Sequence, residues 1–296
     1  MRNGYNVGVI GLGEQTWNNL LPSLAILPYV DIGAVCDIDE GKSNIAARNY
    51  GATAYQGFAD MIDCEKLDAV IVASHPDIHK QVLQITIPRG IPTFIEKPPT
   101  LETRDLHHLI ELNKEFETTT AVGLNFSFTE PMQFLKGLMK SDEFGDIEHL
   151  QVSHYGNKPD SPIWGLESLS KSFLLSQAIH PLGLILDMGE MSNKSPEVSV
   201  HKNDVGVLYD VSMMLKSKKG NLFNANLLTC STAPFFDWEL QMISSTGIRV
   251  KVNSLWEIKV YSRKQGSPLI SNRKWWRDTW KPSPLSGGFK RNGYQY

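Results

Sequence analysis

Three parts of the sequence hold residue types that could do chemistry. In FLLSQAIHPLG (173–183) a single histidine, His180, interrupts an apolar run. An unperturbed imidazole titrates near neutrality, so it can take a proton from a hydroxyl or return one. A packed core histidine is the alternative in the same context. Lys97 closes the run IPTFIEK (91–97) and is followed by two prolines. At the carboxyl end of a buried strand an ammonium can polarise a substrate hydroxyl or carbonyl; an exposed strand-end lysine is the plainer alternative. In the turn GLGEQT (11–16), Gly11 and Gly13 follow a strand-like run and open a helix-like one, the context in which backbone amides at a helix N-terminus hold a phosphate.

The elements that must position these residues follow from hydrophobic patterning. YNVGVI (5–10), VDIGAVCD (30–37), DAVIVAS (68–74), IPTFIEK (91–97) and TTAVGLN (119–125) read as buried strands, each of the first four followed by a helical stretch. This alternation predicts a doubly wound, mostly parallel Rossmann sheet with helices on both faces over 1–122, with ligands bound beyond the carboxyl ends of its strands. After about residue 125 the pattern changes. Strand-like runs with tight turns, among them GVLYDVSMMLKS and NLFNANLLTC around a KKGN hairpin turn at Gly220, predict an α+β domain over 123–296. Its open, mostly antiparallel sheet carries one or two helices on one face. The fold class is therefore α/β, a Rossmann domain plus an α+β domain, and the uncovered sheet face suggests a homo-dimer or homo-tetramer.

The glycine turn fits a dinucleotide fingerprint in which Thr16 replaces the third glycine, the position that governs helix-to-strand packing. The β-branched side chain is expected to push the helix outward without removing the phosphate site. Asp37, 24 residues after Gly13, stands at the end of the next strand, where a carboxylate accepts hydrogen bonds from the ribose hydroxyls and repels a 2′-phosphate. NAD is thus favoured, Lys42 leaving NADP open; the competing role for Asp37 is a cap on the next helix. The turn and the following strand end give Gly11, Gly13, Glu14, Gln15, Thr16 and Asp37 as candidate cofactor contacts.

The segments ASHPDIH (73–79) and IEKPPT (95–100), together with the glycine turn, resemble the glucose-fructose oxidoreductase / inositol dehydrogenase / MocA family. Pro76, Asp77 and His79 are similar to its Thr-Pro-Asn turn with a following histidine, Asp replacing Asn, and Glu96, Lys97 and Pro98 match its Glu-Lys-Pro unchanged. VGLNFSF (122–128) resembles a Gly-x-Asn-x-Arg-Phe strand with Ser127 in place of arginine. The resemblance implies NAD(P)-dependent hydride transfer at a carbinol or carbonyl carbon of a sugar, nucleotide sugar or cyclitol. It also implies dimer or tetramer contacts through the C-terminal sheet. Lys97 and His180 are then the catalytic pair, Ser74, His75, Pro76, His79, Glu96, Lys97 and Asn125 join the cofactor contacts, and Asn125, Ser176 and Gln177 join the catalytic pair as substrate contacts. Trp164, in the loop SPIWGLES, is read from its position alone either as a ring that stacks on a sugar or as a loop anchor. In the family an aspartate usually stands four residues before the histidine; this sequence has Ser176, which supplies no negative charge. In an unbroken helix Ser176 and His180 share a face, and Pro181 predicts a kink or restart there.

Composition narrows the alternatives. The chain has 296 residues, is 41% hydrophobic and carries a formal charge of -3, with no clustered basic excess for nucleic acid or an anionic membrane. The aromatic and basic run NRKWWRDTWKP (272–282) reads as packing or a subunit contact. No stretch has the length of a signal peptide core or a transmembrane helix. Three scattered cysteines, Cys36, Cys64 and Cys230, read as reduced thiols in a cytoplasmic protein. The spacing of His75 and His79 lacks supporting acids or thiols, so no metal is expected. The end GGFKRNGYQY, where the family continues into another helix, reads as truncated or disordered. Ser176 and Ser127 keep two further functions open: reduction of an imine or other non-sugar carbonyl, and silent binding of a dinucleotide or sugar.

Overall fold

Apolar, β-branched runs bounded by amphipathic helices build the first of two units. The computed structural model describes residues 4–254, 256–262 and 265–271, with one unit running to Gly123 and the other starting at Leu124. The segment 272–282 and the chain end lie outside the described residues. In the first unit, strands β1 (Tyr5–Ile10), β2 (Val30–Cys36), β3 (Thr53–Tyr55), β4 (Ala69–Val72), β5 (Thr93–Ile95) and β6 (Thr120–Val122) form a sheet of order β3-β2-β1-β4-β5-β6. Every pairing is parallel. Alternate strand residues feed opposite faces: Ile10, Cys36, Val70 and Val72 pack with Val82 and Leu83 of one helix, whereas Val7, Val9 and Val35 pack with Leu21 and Ala46 of others. Because the order reverses beside β1, the carboxyl ends of β1 and β4 flank the switch point where ligands bind such sheets.

The second unit holds β7 (Ile147–Tyr155), β8 (Glu190–Met191), β9 (Glu197–Lys202), β10 (Val207–Lys216), β11 (Leu222–Cys230), β12 (Asp237–Ser244), β13 (Arg249–Asn253), β14 (Glu257–Ser262) and β15 (Gln265–Ser271). The order is β15-β14-β13-β12-β7-β11-β10-β8, with β9 also on β10. Only the β7–β11 pairing is parallel among these described strands. Period-two alternation sends Leu150, Val152, Phe223, Ala225, Leu227, Trp238 and Leu240 into one core with Met132, Leu135, Leu184 and Ile185 of the covering helices. Gly220, at φ 94°, makes the β10–β11 turn as its sequence predicts.

Two local expectations change. The strand expected to run through VGLNFSF ends at Val122, and Asn125–Phe128 forms a 3-10 turn instead. The physical reason is burial, since Phe126 leaves the first sheet to enter the second unit's core. The helix does not restart at Pro181 but stays helical over 169–188, and the irregularity expected there takes the form of a wider π segment at Leu174–Ala178. Gln177, whose carbonyl the Pro181 ring would meet in a regular helix, lies inside that π segment. Among the described residues no helix is long and apolar enough to cross a membrane.

Candidate active site

At the switch point the two glycines do different work. Gly11 has φ 85°, and a Cβ there would lie 2.3 Å from the Ala73 carbonyl oxygen, so the ends of β1 and β4 approach too closely for any side chain. A Cβ on Gly13 would meet nothing within 4 Å. Gly13 is exposed at the start of the helix, so its bare backbone leaves open space where a pyrophosphate fits. Thr16 is fully buried and its hydroxyl donates to the Gly11 carbonyl at 2.6 Å. The helix opens on a π turn at Thr16–Leu20. Thr16 therefore holds the turn. Glu14 and Gln15 are exposed beside it.

Asp37 braces this turn. Its Oδ2 accepts from the Leu12 amide at 2.7 Å and its Oδ1 from the Asp39 amide at 2.9 Å. Each carboxylate oxygen keeps a further lone pair for a ribose hydroxyl. The helix Glu40–Tyr50 is capped by Asp39, whose carboxylate accepts from the Lys42 amide. That assigns to Asp39 the capping role considered for Asp37.

Beyond β4, exposed Ser74 and His75 lead into the helix Pro76–Thr86, and His75 accepts from the Asp77 amide at 3.3 Å. His79, on the same helix, is fully buried. Its Nδ1 lies 2.9 Å from the Pro98 carbonyl and its Nε2 accepts from the Ser74 amide at 3.4 Å. Burial pushes its pKa down, keeping the ring neutral so that one nitrogen donates and the other accepts. His79 ties the Ser74 turn to the Lys97–Pro98 turn. Glu96 accepts from the Gln15 side chain at 3.4 Å and from the Lys97 amide at 3.2 Å. Removal from water pushes the Lys97 ammonium below its ordinary pKa, with the Glu96 charge opposing the shift. Among the described residues no three His, Cys, Asp or Glu side chains are grouped to hold a metal.

In the second unit Ser176 and His180 are buried and Gln177 is half-buried. The His180 ring stacks on Phe126 with centroids 4.7 Å apart and planes 12° from parallel. Phe126 in turn stacks on Trp238 at 5.3 Å and 17°. His154 is fully buried, 6.3 Å from the Phe126 ring, with Nδ1 2.8 Å from the Thr229 hydroxyl. Asn125 is exposed, Ser127 is buried, and Trp164 is partly buried with a left-handed φ of 55°. Sequence reasoning missed Phe126, His154 and Trp238. The signal for His154 was the alternation Leu150, Val152, His154, which places it on the inner face of β7.

Burial holds the His154 pKa at about 4, against an ordinary 6.5. Between those values the unfolded chain binds the extra proton and the folded one does not, so stability falls as pH drops through that window. A shift of this size corresponds to about 3 kcal/mol. Urea unfolding of wild type and His154→Gln, above and inside the window, should show the variant losing less stability on acidification; equal losses would exclude His154 as the cause.

Residues 5–124 match the sequence model of the oxidoreductase family with an NAD-binding Rossmann fold, GFO_IDH_MocA. A crystal structure of a dehydrogenase from Chromobacterium violaceum is 30% identical, superposes with a TM-score of 0.85, and is matched over 99% of this chain and 84% of that one. The chain belongs to the Gfo/Idh/MocA oxidoreductase family. Its first unit is accordingly an NAD-binding Rossmann domain, and the open space at Gly13, the braced turn and Asp37 fit that cofactor. Among curated family relatives, inositol 2-dehydrogenase of Leifsonia xyli is 25% identical over 174 residues, 58% of this chain and 50% of that enzyme. The dTDP-3,4-didehydro-2,6-dideoxy-alpha-D-glucose 3-reductase of Saccharopolyspora spinosa is 23% identical over 231 residues, 75% of this chain and 68% of that enzyme. The match to the inositol enzyme thus spans half of its length.

Proposed function

We propose that this protein interconverts a carbinol and a carbonyl on a cyclitol or nucleotide sugar, using NAD. The observation that carries the reading is the desolvated Lys97 at the end of β5, in the same unit as the open glycine turn. The named substrates of the two curated relatives, an inositol and a nucleotide sugar, supply the substrate class.

When bound, NAD+ supplies an acceptor for the hydride that leaves the carbinol carbon. The protein's own groups manage the proton. Lys97 donates a hydrogen bond to the carbinol oxygen and stabilises negative charge developing there. Loss of hydration makes that interaction stronger than in water. His180 accepts the hydroxyl proton at a ring nitrogen as the carbon becomes a carbonyl, and returns it in the reverse direction. Asp37 accepts from the ribose hydroxyls and disfavours a 2′-phosphate.

Ser176 stands where the family usually has an aspartate, and it favours a second reading in which the protein binds nucleotide or sugar without turnover. One experiment separates the two. Incubation with NAD+ and a panel of inositols, nucleotide sugars and free sugars is expected to form NADH with at least one of them. Tight NADH binding with no NADH formed from any, and none consumed with the matching ketones and imines, would leave the silent binder.

A further inference from the structure

We propose that Phe126 is a positioning residue that fixes the ring plane of His180. The inference builds on the proton-transfer role of His180, and it concerns a residue to which neither the sequence motifs nor the relatives assign a role. An imidazole in proton transfer must present one nitrogen to the substrate hydroxyl, which requires its ring plane to be held. Here a flat aromatic surface lies under the ring, and Ser176 stands where the family usually places an aspartate one turn before the histidine.

The surface is itself fixed. His180 sits 4.7 Å above Phe126 in near-parallel orientation, and Phe126 sits 5.3 Å above Trp238, which is 1% exposed on β12. Phe236 closes one edge of Phe126 in T-shaped contact at 6.1 Å, and also meets the edge of His154 at 5.6 Å. The three stacked rings come from three separate elements: the 3-10 turn Asn125–Phe128, the helix Ile179–Met188 and β12. Rotating the His180 plane away from Phe126 would break a stack of rings that cannot follow it, because Trp238 and Phe236 hold Phe126 from two sides. The departure of Phe126 from the first sheet, which the strand reading of VGLNFSF did not foresee, delivers this ring to the histidine.

The test uses Phe126→Leu and Phe126→Met, which keep an apolar side chain without a ring, and Phe126→Tyr, which keeps the ring. Two readouts are taken, so that failure of the stack and failure of the reaction are told apart. The first needs no turnover: in wild type the His180 ring C–H resonances, identified by their loss in His180→Gln, should lie upfield from the Phe126 ring current. They should return toward ordinary histidine positions in the folded Leu or Met variant and stay upfield in the Tyr variant. The second is kinetic, with kcat falling roughly tenfold to a hundredfold in the ringless variants, KM and NADH affinity little changed, and the Tyr variant restoring most of the rate. If wild-type His180 resonances are not upfield, or a folded ringless variant keeps full kcat, the positioning role is wrong. Upfield resonances that Phe126→Met moves, in a protein with no measurable turnover, would uphold the stack and reject only the reaction assigned to His180.

Discussion

Replacing His180 by alanine should slow turnover by roughly 100-fold or more while leaving NADH affinity nearly unchanged. The size follows from the loss of the group that accepts the hydroxyl proton as the hydride departs, since water must then take that proton without orientation. The insensitivity of NADH affinity follows from the roles assigned: the glycine turn and Asp37 hold the cofactor, and His180 is not among its candidate contacts. Truncation also removes one ring from the stack on Phe126, so some loss of stability accompanies the effect. Single-turnover rates with NADH and the carbonyl substrate, compared with equilibrium NADH titration of the same folded variant, check both parts. An unaffected rate would take the histidine out of the mechanism and return it to the core-residue alternative.

Exchange of Lys97 for methionine is expected to lower kcat/KM by about two to three orders of magnitude. Methionine keeps the unbranched length and tolerates burial, but cannot donate to the carbinol oxygen. The pKa direction adds a second, opposite expectation for stability. Because the folded protein holds Lys97 below its ordinary pKa, the unfolded chain binds more protons across the interval between the two values. The ammonium is therefore a destabilising charge at neutral pH, and its cost is relieved as pH rises through the folded pKa. Lys97→Met should accordingly unfold at an equal or higher temperature than wild type while being nearly inactive. In wild type the alkaline fall of kcat/KM should occur below the ordinary lysine range, where the ammonium is lost. A methionine variant that is both active and less stable would remove Lys97 from the reaction and make it a structural cation.

Five of the six strands of the first sheet were readable as apolar runs between helical stretches, whereas β3 (Thr53–Tyr55), three residues with none fully buried, was missed. The positions of Gly11, Asp37 and Lys97 were readable for the same reason, since each sits where a parallel strand ends. The roles of Thr16 and His79 were not readable. Both are buried polar residues whose hydroxyl or ring satisfies a backbone group in another turn, and such partners are set by tertiary approach rather than by local pattern. In the second unit, the inward phase of β7, β11 and β12 follows from alternation. The stack under His180 draws on residues 126, 180 and 238, far apart in sequence, and no local spacing announces it. Pro181 announced an irregularity but not its form, which is a π turn just before the proline within a continuous helix.

The central claim, that a hydride passes from a carbinol carbon to NAD+, is tested most directly by isotope transfer. The protein is incubated with NAD+ and a substrate from the panel that carries deuterium on the carbinol carbon, and the reduced cofactor is analysed by mass spectrometry. The account predicts that one deuterium per turnover appears in NADH and none is exchanged into water, with transfer greatly slowed in Lys97→Met and His180→Ala. Cofactor reduction without the label, or bound NAD+ that no labelled cyclitol or nucleotide sugar reduces, would contradict it.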